Sequence, residues 1–212
     1  MTTSVYVGPK RGIDRAVLLA HGAGADLQAP ALVAVAEALA ERGIPSLRFN
    51  YPYRDAGKKA PDRPAVLLAA TRAAAADLAK RTKLDPSRLV VGGRSMGGRY
   101  CSLVVADADD PLPALGLLLL GYPLHPAGKP ESPRVEHLGR ILVPTLFVSG
   151  TRDALGAKPA LRRAARRVKG PVSWHWIETG DHSFKPLKSS GLAYADVLRD
   201  LADASADWVA AL

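Results

Sequence analysis

The residue best placed to do chemistry is Ser95, in the glycine-flanked segment Gly93-Arg94-Ser95-Met96-Gly97. This segment matches the pattern G-x-S-x-G, in which a serine occupies a sharp turn between a strand and a helix. The flanking positions need glycine because the turn is strained and brings neighbouring backbone close. The serine then lies at a helix N-terminus, where free backbone N–H groups favour developing negative charge. Because five residues can match by chance, a nucleophilic role requires partners elsewhere in the chain.

Two further segments supply such partners. Asp153 lies a few residues past one predicted strand, and His182 lies a few residues past the next. In a catalytic triad the histidine takes the serine proton, and a carboxylate fixes the tautomer of the histidine. Asp181 is a poorer candidate for the acid, since adjacent side chains in an extended loop point apart. We therefore predict a triad of Ser95, Asp153 and His182, with Asp181 bracing its loop through backbone N–H groups.

An oxyanion hole is the other requirement for acyl chemistry. One donor should be the backbone N–H of Met96, directly after the nucleophile. The second should come from the loop after the first predicted strand, where small residues let the backbone approach the substrate. Within that loop we favour the N–H of Ala23, with Gly22 as the alternative. His21, at the start of the loop, is expected to brace it rather than to act as a base.

The elements that must position these residues alternate along the chain. Several predicted strands are continuously apolar, as are strands covered on both faces. We therefore predict one α/β domain over 1–212, with a mostly parallel sheet of about six strands flanked by helices on both faces and no lid domain. The predicted strands are 15–20, 44–49, 88–91, 115–120, 141–149 and 172–177, and the main helices are 30–42, 65–82, 156–169 and 194–212. The candidate residues follow strands, at the edge where parallel sheets place their sites.

Composition and motifs exclude several other classes. Glycine patterns at 22–27 and 92–99 fail the dinucleotide and phosphate-loop motifs, and no zinc-binding spacing occurs, so we expect no cofactor and no metal. A single cysteine excludes an internal disulfide and suits a reducing compartment. Residues 1–12 lack the apolar segment of a signal peptide, and the longest apolar run, 114–120, is too short to cross a bilayer. These features predict a cytoplasmic protein without membrane contact.

Two loops, 50–63 and 121–140, are expected to form the rim of the pocket. Their aromatic and polar residues are candidates to contact substrate, although ordinary loop packing is an equal alternative. The candidates from these two loops are Tyr51, Tyr53, Tyr122 and His125. Met96, and Phe184 from the loop of His182, are further candidates. Arg94 and Arg99 could attract an anionic substrate or brace the turn through carboxylates, and we favour bracing for Arg99. Without a lid, the open cleft suits short acyl groups.

The net charge is +9, and much of it lies on the predicted helix 157–169. Its basic residues are Lys158, Arg162, Arg163, Arg166, Arg167 and Lys169. A solvated outer face is the expected role of such a helix. The alternative is a surface for an acidic protein or a nucleic acid.

The chain resembles α/β hydrolases of the dienelactone-hydrolase-like kind. Within them it is most similar to the small testis-expressed-protein branch, which is related to a subunit of the NSL chromatin complex. The matching segments, which span most of the chain, are His21–Asp26, Gly92–Arg99, Tyr122–Pro126, Gly150–Asp153 and Gly180–Ser183. The resemblance implies the α/β-hydrolase fold, with the triad order serine, acid, histidine. Dienelactone hydrolases proper use a cysteine nucleophile, so their substrate is not implied here.

Two functions remain open at this point. The first is a metal-independent serine hydrolase that acts on an ester or related acyl bond of a small substrate through an acyl-enzyme. The second is a hydrolase-like interaction module with little or no catalysis. The complete set of nucleophile, acid, base and glycine-rich loop favours the first. The residues do not distinguish a carboxylesterase from a thioesterase, peptidase or acyltransferase.

Overall fold

A seven-stranded, mostly parallel sheet runs through the computed structural model, which describes residues 2–212. The strands are β1 (Ser4–Val7), β2 (Ala16–Ala20), β3 (Ser46–Phe49), β4 (Leu89–Arg94), β5 (Gly116–Leu120), β6 (Thr145–Gly150) and β7 (Val172–Ile177). They lie side by side in the order β1-β3-β2-β4-β5-β6-β7. All neighbouring pairs are parallel except β1 with β3. The predicted parallel α/β architecture is therefore confirmed.

The strand count differs from the predicted six because of β1. This edge strand pairs antiparallel with β3, with Ser4 opposite Phe49. Val5-Tyr6-Val7 is an apolar run that favours a strand, but it is only three residues long and half-buried at the edge of the sheet. Its pairing with β3 shows that the segment is a strand.

Helices cover both faces of the sheet. They are α1 (Pro30–Glu41), α2 (Pro52–Asp55), α3 (Pro64–Thr82), α4 (Met96–Val105), α5 (Lys158–Ala165) and α6 (Tyr194–Ala210). Both α1 and α3 begin at a proline, whose fixed φ and missing N–H suit the first position of a helix. The predicted strand 141–149 begins late, at Thr145, because Pro144 has no N–H to donate to the sheet.

Alternate side chains of each strand enter opposite cores, as the period of a strand requires. In β2, Ala16, Leu18 and Ala20 pack with α3, α4 and α5 on one face. Val17 and Leu19 pack with α1 and α6 on the other face. All five residues of β2 are buried, which explains the continuous apolar character of this strand.

The carboxyl ends of the parallel strands lie at one edge of the sheet, and no lid domain covers that edge within residues 2–212. The loops after β2, β4, β6 and β7 meet there. In the same described part of the chain, no helix combines the length and the apolar character needed to cross a membrane.

Candidate active site

Ser95 occupies the turn between β4 and α4 in a backbone conformation that a non-glycine residue rarely adopts. Its φ is 51° and its ψ is −115°. The turn is possible only because glycines flank it: a Cβ at Gly93 or Gly97 would overlap the carbonyl oxygen of Ala20 on β2. Strain of this kind is concentrated at functional sites, where the surrounding structure holds it in place. The geometry is that of the strand-turn-helix predicted from the G-x-S-x-G pattern.

The hydroxyl of Ser95 lies against a histidine. Its Oγ is 2.9 Å from Nε2 of His182, in the loop after β7. On the far side of the ring, Nδ1 of His182 lies 3.0 Å from Oδ1 and 2.9 Å from Oδ2 of Asp153, in the loop after β6. The structure thus joins the three residues into one hydrogen-bonded chain. In that chain Nδ1–H donates to the carboxylate, and Nε2 is free to accept from the serine hydroxyl.

The Asp153 carboxylate is held in place by its own loop. The side chain is fully buried, and its Oδ1 also accepts the backbone N–H of Leu155 at 2.8 Å. Asp181 is engaged elsewhere, since its Oδ1 accepts the backbone N–H groups of Ser183 at 2.7 Å and Lys185 at 3.0 Å. The neighbouring carboxylate therefore shapes the histidine loop and makes no hydrogen bond to the imidazole.

Two backbone N–H groups are candidates for the oxyanion hole, those of Met96 and Ala23, and both residues line the same cavity as Ser95. Met96 is the first residue of α4, so its N–H has no partner within the helix. In the loop after β2, His21 is buried; its Nδ1 lies 2.9 Å from the Gly22 carbonyl oxygen, and its Nε2 accepts the N–H of Tyr51 at 3.0 Å. Because C=O and N–H of one trans peptide point in opposite directions, the Ala23 N–H points away from His21. Burial lowers the pKa of His21, which keeps this bracing imidazole neutral.

Arg94 braces the turn, one of the two roles expected for it, but its partners are not the expected carboxylates. Its guanidinium donates to Oγ of Ser183 at 2.9 Å and to the backbone carbonyl of His182 at 3.3 Å. Burial lowers the pKa of this arginine. Arg94 therefore ties the turn that carries Ser95 to the loop that carries His182, without a carboxylate.

An open cleft of about 410 Å³ leads to Ser95. Met96 and Ala23 line it, as does His125, a residue expected to contact substrate. The other main lining residues are not among the candidates from the sequence; they are Pro61, Asp62, Pro64, Leu67, Tyr100, Arg134 and Leu155. Several of them lie in the two loops predicted to form the rim, so only their location could have been anticipated.

The aromatic residues expected to contact substrate require a correction. Tyr51, Tyr53, Tyr122 and Phe184 are all at most 1% exposed and do not line the cleft. The Tyr51 hydroxyl pairs with Oγ1 of Thr71 at 3.0 Å, and that of Tyr122 donates to the Arg134 carbonyl at 3.0 Å. Large aromatic surfaces gain more free energy in the core than at an open rim, which explains their inward position.

Arg99 also differs from the favoured expectation. Within residues 2–212 its guanidinium forms no ion pair, and its Nε is buried without a hydrogen-bond partner. It lies beside the ring of Tyr100, 5.6 Å from the ring centroid, and lines the cleft. Arg99 therefore does not brace the turn through a carboxylate.

The single cysteine of the chain, Cys101, makes no hydrogen bond to the triad residues. Cys101 is buried on α4, and its thiol donates to the Gly92 carbonyl at 3.2 Å. Burial raises the pKa of this thiol to about 12, so it stays protonated. Among residues 2–212, no group of three or more His, Cys, Asp or Glu side chains is arranged to hold a metal ion.

Comparison with known proteins is consistent with this geometry. The family model described as an alpha/beta hydrolase domain matches residues 13–210. An alpha-beta serine hydrolase homologue from Coxiella burnetii is 16% identical, with a TM-score of 0.74 over 96% of this chain and 89% of the other. A dienelactone hydrolase from Anabaena variabilis is 21% identical, with a TM-score of 0.73 over 98% and 90%. A carboxylesterase from Bacillus cereus is 16% identical, with a TM-score of 0.64 over 100% and 94%. At these identities the structures share the fold.

Proposed function

The chain belongs to the alpha/beta hydrolase family, and on that premise we propose that it is a metal-independent serine hydrolase of the carboxylesterase type. It cleaves an ester or related acyl bond of a small substrate through an acyl-enzyme. The observation that carries this proposal is the continuous hydrogen-bonded chain from Ser95 through His182 to Asp153. Each link is within 3.0 Å, the distance at which a proton can pass from the hydroxyl to the imidazole.

Acylation begins at the Ser95 hydroxyl. As Oγ attacks the acyl carbon, its proton moves to Nε2 of His182, and the new positive charge on the imidazole is stabilised by Asp153. The proton then passes from Nε2 to the leaving alcohol oxygen as the bond between acyl carbon and alcohol breaks. Water reverses these steps: it gives a proton to Nε2, attacks the acyl-enzyme, and releases the acid as Oγ recovers the proton.

Negative charge develops on the carbonyl oxygen during both attacks. The N–H groups of Met96 and Ala23, with Gly22 as the alternative to Ala23, are the donors that we assign to it. Met96 is supported by its position at the start of α4, and Ala23 by the peptide orientation that His21 imposes. Losing one such donor costs about 100- to 1,000-fold in turnover in related chemistry, so these backbone groups are a large part of the catalytic power.

The cleft favours small substrates. Its volume of about 410 Å³ is near the lower end of ligand pockets. Within residues 2–212 no lid domain is present that could add an apolar surface for a long acyl chain. Two structural neighbours, a carboxylesterase and a dienelactone hydrolase, are in keeping with an ester substrate. We accordingly propose a short-chain ester, and His125 as a residue that touches it.

A second function is supported by one separate feature. Within the described residues 158–169, none of the six lysine and arginine side chains forms an ion pair, and Arg163, Arg166 and Arg167 are exposed. Such a surface suits an acidic protein or a nucleic acid. The resemblance of the sequence to the testis-expressed-protein branch, which is related to a chromatin-complex subunit, supports the same candidate. The candidate is a hydrolase-like interaction module.

A fluorophosphonate probe tests the proposed function, because it reacts covalently with an activated serine. We expect the protein to be labelled, the Ser95→Ala variant to remain unlabelled, and the label to map to Ser95. The matched control is Ser132→Ala, since Ser132 is an exposed serine in the loop after β5 and should not alter labelling. Equal labelling of Ser95→Ala and wild type contradicts the assignment of the nucleophile.

A further inference from the structure

Two arginines line the cleft that contains Ser95. Arg99 lies on α4, and its backbone N–H donates to the Ser95 carbonyl at 3.0 Å, which places it one helical turn after the nucleophile. Arg134 lies in the loop between β5 and β6 and lines the same cleft. Both side chains line one cleft, and the pKa of Arg134 is lowered first by burial and then by the positive charge of Arg99.

Neither charge is neutralised by the protein. In the described part of the chain, residues 2–212, neither arginine forms an ion pair with a carboxylate, and Nε of Arg99 is buried with no partner. The cleft also contains the carboxylate of Asp62, which accepts the backbone N–H of Tyr53 at 2.8 Å and forms no ion pair with either arginine. Arg72, by contrast, pairs with both Asp107 and Asp110.

This arrangement is costly unless an anion enters it. Two like charges that are partly withdrawn from water repel each other. An oxyanion between the two guanidiniums would relieve this repulsion, because arginine binds carboxylate and phosphate through paired, charge-assisted hydrogen bonds. The position beside Ser95 means that such an anion would belong to the substrate.

We propose that Arg99 and Arg134 bind an anionic group of the substrate, so that the enzyme prefers short acyl esters whose acyl chain ends in a carboxylate or phosphate. This inference rests on the proposed hydrolase function. Four residues of helix rise by about 6 Å, so the Arg99 side chain begins about that far along α4 from Ser95. Half-esters of small dicarboxylic acids, with only a few carbons between ester and carboxylate, match this spacing.

Three esters that differ in one terminal group test the proposal. Monoethyl glutarate carries a carboxylate, ethyl 4-carbamoylbutanoate is its neutral amide counterpart, and ethyl 4-phosphonobutanoate replaces the carboxylate with a phosphonate. Hydrolysis is followed by proton release at constant pH. We expect kcat/KM for the carboxylate ester to exceed that for the amide by about 10- to 100-fold, as charged hydrogen bonds allow. The phosphonate ester shows which of the two oxyanions is preferred.

The variants Arg99→Gln and Arg134→Gln connect this preference to the two side chains. We expect each to reduce the ratio of carboxylate ester to amide ester by about tenfold, mainly through KM, since the guanidinium binds the substrate rather than the reacting atoms. Circular dichroism verifies that the variants are folded. The matched control is Arg163→Gln, which removes an exposed arginine on α5 and should leave the ratio unchanged. A wild-type ratio near one, or a ratio that neither variant lowers, overturns the proposal.

A binding measurement separates this inference from the hydrolase proposal. The titrant is glutarate, and the protein is the Ser95→Ala variant in which no turnover occurs. We expect saturable binding by calorimetry that is lost when Arg99→Gln or Arg134→Gln is added and kept with Arg163→Gln. Absence of glutarate binding overturns the anion site. Binding without any labelling of Ser95 or cleavage of any ester keeps the anion site but contradicts the hydrolase function.

Discussion

Both carboxylate oxygens of Asp153 lie within 3.0 Å of Nδ1 of His182, although 29 residues separate the two along the chain. The adjacent Asp181 makes no such contact and instead accepts backbone N–H groups of its own loop. The parallel pairing of β6 with β7 brings the ends of these strands together and creates the first relationship. Proximity in the fold, rather than in sequence, selects the carboxylate that orients the histidine.

Replacing Asp153 with Asn should therefore nearly abolish activity while the protein remains folded. The amide could donate to Nδ1 and so favour the tautomer in which Nε2 carries the proton and cannot accept from Ser95. The corresponding change in a well-studied triad lowers turnover by about 10,000-fold. Turnover of one short ester, with circular dichroism to verify folding, is the measurement.

The matched control for this change is Asp181→Asn. We expect it to retain most activity, because only Oδ1 of this side chain is used and an amide oxygen can still accept those N–H groups. An inactive Asp181→Asn enzyme beside an active Asp153→Asn enzyme would show that the acid has been wrongly assigned.

Acyl-chain length should affect the rate strongly. No lid domain among residues 2–212 covers the cleft of about 410 Å³, so a long chain would extend into water and gain little from apolar burial. We expect p-nitrophenyl acetate and butyrate to be cleaved with higher kcat/KM than the palmitate ester. The reaction should also be insensitive to EDTA. A clear preference for palmitate would mean that the loops 50–63 and 121–140 form a different surface during binding.

The exposed arginines at the end of α5 and directly after it, Arg163, Arg166 and Arg167, should be dispensable for catalysis. We expect the triple variant Arg163→Glu, Arg166→Glu and Arg167→Glu to cleave short esters at a rate within about twofold of wild type, since exposed substitutions have small effects. Arg162 is left unchanged because its guanidinium lies 5.8 Å from the ring centroids of both Trp174 and Trp176 and helps to cover them.

Binding to DNA and RNA is measured on the same triple variant. Salt-sensitive binding by wild type that the variant loses would support the interaction module. No binding by either protein would leave the basic residues as a solvated face.

Stability should fall in mild acid because of His137. Its Nε2 lies 2.8 Å from Oγ of Ser102, which itself donates to the Arg99 carbonyl, so the imidazole donates its Nε2–H to Ser102. Burial, followed by the charges of Arg99 and Arg140, lowers its pKa from 6.5 to about 4. The unfolded chain therefore binds this proton at a higher pH than the folded chain does. The free energy of unfolding should decrease by up to about 3 kcal/mol as the pH falls from about 6.5 to about 4.

Denaturant unfolding across that pH range measures this effect. The His137→Gln variant should lose this part of the pH dependence, whereas His125→Gln, on the surface of the cleft, should keep it. Identical slopes for wild type and His137→Gln would show that His137 is not responsible.

The parallel architecture of the sheet and the three triad residues, Ser95, Asp153 and His182, could be predicted from the sequence alone. These features depend on local patterns: apolar runs mark the buried strands, and glycines at 93 and 97 mark a turn where a Cβ would overlap backbone. Once the strands are parallel, their carboxyl ends must share one edge, so Asp153 and His182 are brought near Ser95 by topology alone. The distances of 2.9–3.0 Å follow from that arrangement.

Which loop residues face the cleft and which face the core depends on tertiary contacts, so it could not be predicted from the sequence. Tyr51 and Tyr122 lie in polar, proline-containing loops, yet they are buried because neighbouring elements supply both apolar contacts and hydroxyl partners. The edge strand β1 is held in the sheet by its pairing with β3. The long loop between β5 and β6 brings Arg134 to the cleft that Arg99 also lines. In each case the deciding free energy comes from contacts between segments distant along the chain, which no local pattern of residues encodes.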